Sequence, residues 1–111
     1  MKYSGIVIEG SKRGRALGFP TANIELSDGS VSGIYIAKVT AQGTEYHAAV
    51  FADPSRKLLE AYLLDFSGDL YGETISVELM KKIREIETFP NEDKLKKAIW
   101  SDVEHVRAYF A

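Results

Sequence analysis

The feature that most constrains this chain is a run of short alternating stretches between residues 33 and 84, parted by tight turns. Residues 33–40, Gly-Ile-Tyr-Ile-Ala-Lys-Val-Thr, are the clearest strand, and Ala41-Gln42-Gly43-Thr44 is a tight turn into a hairpin partner over 45–51. Ala52-Asp53-Pro54-Ser55 is expected to end that pairing, because proline has no N–H to donate to a ladder. Residues 58–66 form the next strand, then Ser67-Gly68-Asp69 turns the chain into a strand over 73–84, where Ile75, Val77 and Leu79 alternate with polar neighbours. A first strand is expected over 3–9 and a short extended piece over 24–26. Strands this dense, joined this tightly, predict a mainly β fold, an antiparallel barrel or sandwich. The end of the chain differs. Asn91 is a helix cap with Glu92 and Asp93 in the first turn, and Leu95, Ala98, Ile99, Val103, Val106 and Phe110 recur at three- and four-residue steps. That stripe predicts an amphipathic helix packed on the strands, with Trp100 beside it as a core side chain.

Composition narrows the function. A length of 111 residues fits one domain, 1–111, and 45% apolar residues suffice for a core. A formal charge of −2 argues against a nucleic-acid partner. No cysteine is present, so disulfides and thiolate metal sites are excluded, and His47 and His105 lie too far apart in sequence to form a ligand pair. No apolar run approaches membrane-spanning length and no secretory signal is visible, so a cytoplasmic protein is expected.

Two places carry chemistry. Residues 10–23 read Gly-Ser-Lys-Arg-Gly-Arg-Ala-Leu-Gly-Phe-Pro-Thr-Ala-Asn. Gly10, Gly14 and Gly18 allow a tight backbone and close approach of a ligand; Lys12, Arg13 and Arg15 add positive charge. Pro20 stiffens the exit, and Thr21 and Asn23 offer oxygen atoms. Such a loop suits a nucleotide phosphate with its magnesium ion, although it is not the Walker A pattern; a basic surface turn is the plain alternative. The second place is Glu60. Alternation puts it on one strand face with Tyr62, Leu64 and Phe66, an apolar setting in which a carboxylate is either at a barrel rim or held for general-base work. Arg84, at the end of a strand, is within reach of a phosphate or solvated, and Lys81-Lys82 reads as a solvated face.

Assembled in this order, the sequence closely resembles the riboflavin kinase family along essentially its whole length. The string Gly-x-x-x-Gly-Arg-x-Leu-Gly-Phe-Pro-Thr-Ala-Asn is the most specific match. Gly33-Ile34-Tyr35, Leu59-Glu60-Ala61-Tyr62-Leu63-Leu64-Asp65-Phe66, Asp69-Leu70-Tyr71-Gly72, Ile83-Arg84, Phe89 and the helix residues Leu95, Ile99 and Asp102 follow in register. The resemblance implies a six-stranded antiparallel Greek-key barrel with a C-terminal helix, and transfer of the ATP γ-phosphate to the 5′-hydroxyl of riboflavin, giving FMN and ADP. By the same resemblance Gly10, Lys12, Gly14, Arg15, Gly18, Pro20 and Thr21 would bind the nucleotide, Thr21 and Asn23 would hold Mg²⁺, Glu60 would accept the proton, and Arg84 would lie in a flavin-side loop near the reacting groups. ATP and riboflavin are then the expected partners of a soluble monomer.

Two departures stand out. Val50-Phe51-Ala52-Asp53-Pro54-Ser55 occupies the place of the family's Ile-Gly-x-Asn-Pro-Thr, so phenylalanine replaces glycine and aspartate replaces asparagine, and the connection from Pro54 to Glu60 is short. Two rival readings rest on them: a non-catalytic flavin- or nucleotide-binding module, and a kinase for a different small alcohol. The other departure is of context, since no HxGH-type motif of an FMN adenylyltransferase domain is present; a stand-alone kinase and a domain of a bifunctional enzyme both fit.

Overall fold

A computed structural model describes residues 1–9 and 18–111. Six strands, β1 (Lys2–Ile6), β2 (Ala22–Glu25), β3 (Gly33–Ala41), β4 (Thr44–Asp53), β5 (Leu58–Leu63) and β6 (Thr74–Arg84), are followed by one helix, α1 (Glu92–Phe110). They form one antiparallel sheet in the order β1-β6-β3-β4-β5-β2. The hairpin-linked strands β3, β4 and β5, with β6 returning beside β3, are a Greek key. The sheet curls into a nearly closed barrel whose seam runs between β1 and β2; there the chain beyond β1 crosses over, and the Ile8 N–H donates to the Asn23 carbonyl at 2.8 Å.

Alternation decides what fills the barrel. Ala37, Val39, Val50, Ala52, Leu59, Ala61, Ile75 and Val77 point inward and are essentially solvent-free. The opposite face of β3 and β4 gives Ile36 and Ala49 to a second cluster, where Val103 and Val106 of α1 dock on the outside of the barrel with Phe19 and Leu64. The helix starts as its sequence implies: the Asn91 side chain accepts from the Lys94 N–H at 2.9 Å.

Several expectations change. Strand β5 stops at Leu63, because Asp65 takes a left-handed backbone (φ 58°); Phe66 therefore leaves the Glu60 face and packs against the barrel interior cluster, edge-on to Tyr46. Strand β4 runs on through Ala52 and Asp53, so the pairing ends only at Pro54. The first strand is shorter than 3–9, and β2 begins two residues before Ile24. Trp100 is not a core residue. It is 54% exposed and meets the protein through an edge contact with Phe19, the stripe itself having satisfied the helix's docking surface. His47 stacks on Phe110 at 3.8 Å, and His105 is exposed on α1.

Candidate functional site

The site is built by strand register. Asn23 of β2 pairs with Glu60 of β5, Glu60 with Phe51 of β4, Phe51 with Ile34 of β3, and Ile34 with Arg84 of β6. Residues directly opposite in antiparallel strands share a face. One row, Asn23–Glu60–Phe51–Ile34–Arg84, therefore crosses the outer wall of the barrel. Helix α1 and the residues between it and β6 stand over this row, leaving an open cleft of about 500 Å³. Ile34, Phe51, Ile86, Phe89, Leu95 and Ile99 give it an apolar body, while Thr21, Glu60 and Arg56 gather at one end and Arg84 with Asp102 at the other.

Glu60 lies on the outer wall because Leu59, Ala61 and Leu63 take the inward positions of β5. It is only 8% exposed. Its setting is not the bare apolar face that alternation implies. Arg56, four residues earlier, donates through Nη2 to Glu60 Oε2 at 3.1 Å and through Nε to Asp53 Oδ2 at 2.6 Å. Asp53 Oδ1 accepts in addition from Ser55 N (3.1 Å), Ser55 Oγ (2.7 Å) and Arg56 N (3.4 Å), which closes the turn after β4. Burial pushes the Asp53 carboxyl up, but the hydrogen bonds from Ser55 and Arg56 and the Arg56 charge outweigh it and hold the group below the usual aspartate value. Donation to Asp53, against the opposing effect of burial, holds Arg56 above the usual arginine value.

Thr21 and Asn23 meet at the same end of the cleft. Thr21 Oγ1 donates to Asn23 Oδ1 at 3.2 Å, and Asn23 Nδ2 donates back to the Thr21 carbonyl at 3.4 Å. Asn23 is buried, and as the register partner of Glu60 it stands roughly 5 Å from it at the backbone. A hydroxyl and an amide oxygen this close are hard, neutral donors of the type Mg²⁺ accepts when substrate phosphates complete its shell. Among the described residues no group of three His, Cys, Asp or Glu side chains is placed to hold a metal unaided. The donor set thus fits a phosphate-bound ion.

Arg84 is the last residue of β6 rather than part of a loop. It is three strands from Glu60 along the row, or about 14 Å at ordinary strand spacing. Its guanidinium donates to both oxygens of buried Asp102, Nε to Oδ1 at 2.8 Å and Nη2 to Oδ2 at 2.7 Å, and it lies over the Phe89 ring. That pairing, only partly opposed by burial, holds Arg84 above the usual arginine value. It also ties α1 to the barrel. Gly18 has a left-handed backbone (φ 90°), and Gly18 and Pro20 are exposed ahead of β2. Gly10, Lys12, Gly14 and Arg15 lie outside the described residues.

Arg56 and Asp102 were not singled out from sequence as site residues. Arg56 carries a signal, a cation four positions before a carboxylate, but that spacing brings side chains together only where the intervening chain turns. Asp102 carries a signal too, as an acid on the apolar face of the helix in step with Leu95, Ile99 and Val106, but nothing local names Arg84, 18 residues away, as its partner.

A concave, mostly apolar cleft with a few polar groups gathered at its ends is the form of a small-molecule site. Comparison with known proteins makes the assignment specific. The family model for Flavokinase: Riboflavin kinase matches residues 1–110, and the chain belongs to the riboflavin kinase family. It is 41% identical over 115 residues to a bifunctional riboflavin kinase/FMN adenylyltransferase of Haemophilus influenzae, covering 96% of this chain and 37% of that protein. Against the protein of the same description from Escherichia coli strain K12 it is 39% identical over 116 residues, covering 96% and 37%. The chain thus spans under two fifths of the length of these curated relatives. Among solved structures, riboflavin kinase from Trypanosoma brucei shares the fold with a TM-score of 0.73 at 24% identity, over 97% of this chain and 75% of that one. A protein from Streptococcus pneumoniae described as a macrolide-efflux protein superposes with a TM-score of 0.82 at 31% identity, over 96% and 38%. Among the described residues no helix is long and apolar enough to cross a membrane.

Proposed function

We propose that the chain is a riboflavin kinase, transferring the γ-phosphate of ATP to the ribityl 5′-hydroxyl of riboflavin. The observation that carries this reading is the pairing of Glu60 with Asn23 across β2 and β5, with Thr21 bonded to Asn23, at the polar end of an apolar cleft. The isoalloxazine rings lie in the apolar body, between the Phe51–Ile34 wall and the Phe89, Leu95 and Ile99 side chains. The ribityl chain then points toward Glu60. One Glu60 oxygen is held by Arg56, and among the described residues the other, Oε1, has no hydrogen bond. It accepts the proton of the 5′-hydroxyl as that oxygen bonds to the γ-phosphorus and the bond from phosphorus to the ADP oxygen breaks. Thr21 and Asn23 are the residues that would hold a magnesium ion brought in with the nucleotide. When bound, that ion offsets the charge on the transferring group. The glycines and cations of residues 10–18 are assigned to the ADP phosphates by the family resemblance. Arg84 lies at the flavin end, too far along the sheet to touch the transferred phosphate.

Incubation with riboflavin, ATP and magnesium chloride, with FMN followed by chromatography, tests the proposal. FMN is expected, and Glu60→Gln is expected to lose roughly 100-fold or more in kcat with flavin binding retained. Saturable binding of ATP and riboflavin without FMN under any divalent ion overturns the kinase reading. A Glu60→Gln variant as fast as the parent overturns the base.

A further inference from the structure

The geometry points to Arg56 as a positioning residue, which sets the Glu60 carboxylate for proton transfer from a seat formed by Asp53 and Phe51. The inference rests on the reading of Glu60 as base. Its ground is the way one guanidinium is held on three sides. Its Nε donates to Asp53 Oδ2 at 2.6 Å, its Nη2 to Glu60 Oε2 at 3.1 Å, and its Cζ lies over the Phe51 ring, 5.8 Å from the centroid. A planar guanidinium with fixed donor directions transmits the orientation of one carboxylate to the other. A glutamate on a strand has free χ angles along its stem; with Oε2 anchored, Oε1 keeps one direction into the cleft.

The same contacts engage Phe51 and Asp53, the two residues that the sequence sets apart. Asp53 needs two acceptor oxygens, because Oδ1 is taken by Ser55 and the Arg56 N–H while Oδ2 receives Arg56 Nε. An asparagine has one acceptor oxygen and would present an amide nitrogen to that Nε–H. Phe51 supplies the ring beside the guanidinium. Phe51, Asp53 and Arg56 thus form one contiguous unit around the proposed base.

The test is a cycle of Arg56→Ala, Glu60→Gln and the double variant, with kcat, both KM values and riboflavin affinity by flavin fluorescence. Arg56→Ala is expected to lose about tenfold to hundredfold in kcat, with KM values and flavin affinity within about threefold. Millimolar guanidinium ion should restore part of that loss by filling the seat. In the Glu60→Gln background, removing Arg56 should cost nothing more, since the residue acts through Glu60. An unchanged kcat in Arg56→Ala, a rise in KM alone, or an equal further loss in the double variant overturns the inference. Should Arg56→Ala not fold, Asp53→Asn serves instead. It is expected to lose severalfold in kcat at constant KM, and an unchanged kcat overturns the proposal. The two readings separate cleanly: an inactive Glu60→Gln with an unimpaired Arg56→Ala removes only the role of Arg56, whereas a fully active Glu60→Gln removes the base itself.

Discussion

Removing Asp102 should loosen the helix from the barrel by a predictable amount. In Asp102→Ala, Arg84 loses two charge-assisted hydrogen bonds of 2.8 and 2.7 Å. Breaking a fully buried pair by deleting one partner costs about 3–5 kcal/mol, most of it from the charge left behind. Here the Arg84 side chain is 21% exposed and Asp102 7%, so the orphaned guanidinium regains some water. It also keeps its contact with the Glu85 carbonyl and the Phe89 ring. The expected loss is therefore about 2–3 kcal/mol. At roughly 4 °C per kcal/mol for a domain of this size, Tm falls by roughly 8–12 °C. Urea unfolding followed by circular dichroism gives the same quantity as a shift in midpoint at constant slope. Replacing both partners, Arg84→Met with Asp102→Leu, should recover most of the loss, because no charge is then stranded. An Asp102→Ala midpoint within about 0.5 kcal/mol of the parent refutes the argument. So does a double replacement no more stable than the single one.

Asn23→Ala should raise the magnesium concentration needed for half-maximal FMN formation, and an unchanged magnesium profile counts against Asn23 as an ion ligand. Asp53 contributes stability that depends on pH. Its folded-state value is depressed, so the contribution is full above the ordinary aspartate value near about 4 and is lost as pH falls through the folded value. Asp53→Asn should therefore destabilise the protein at neutral pH, and the gap to the parent should close below about pH 4 in urea titrations; a gap independent of pH refutes the assignment. Gly33→Ala should cost on the order of 1–3 kcal/mol, read as a Tm shift, because position 33 has a φ of 120° and a Cβ there would lie 2.8 Å from the Arg84 carbonyl oxygen. A Tm unchanged by that substitution would show that the start of β3 adjusts freely.

Legibility in the sequence divides along a physical line. The strand stretches were readable because period-two alternation is a local property of extended backbone, and α1 was readable from its cap and its stripe. The error at Phe66 has a local cause too. Asp65 adopts a left-handed conformation that aspartate permits but does not announce, and the strand ends three residues early.

Sequence alone thus determined the element types, the helix start and, through the long match at residues 10–23, the family to expect. Only the tertiary structure decided which face of β5 is the outer wall, that Asn23, Glu60, Phe51, Ile34 and Arg84 form one row, and that Arg56 and Asp102 are the partners of the charged residues on it. The reason is that side-chain alternation follows from each residue's own backbone, whereas register follows from hydrogen bonds between strands far apart in the chain. A slip of one residue would turn a whole strand's side chains to the other face, and no local pattern records which pairing was made.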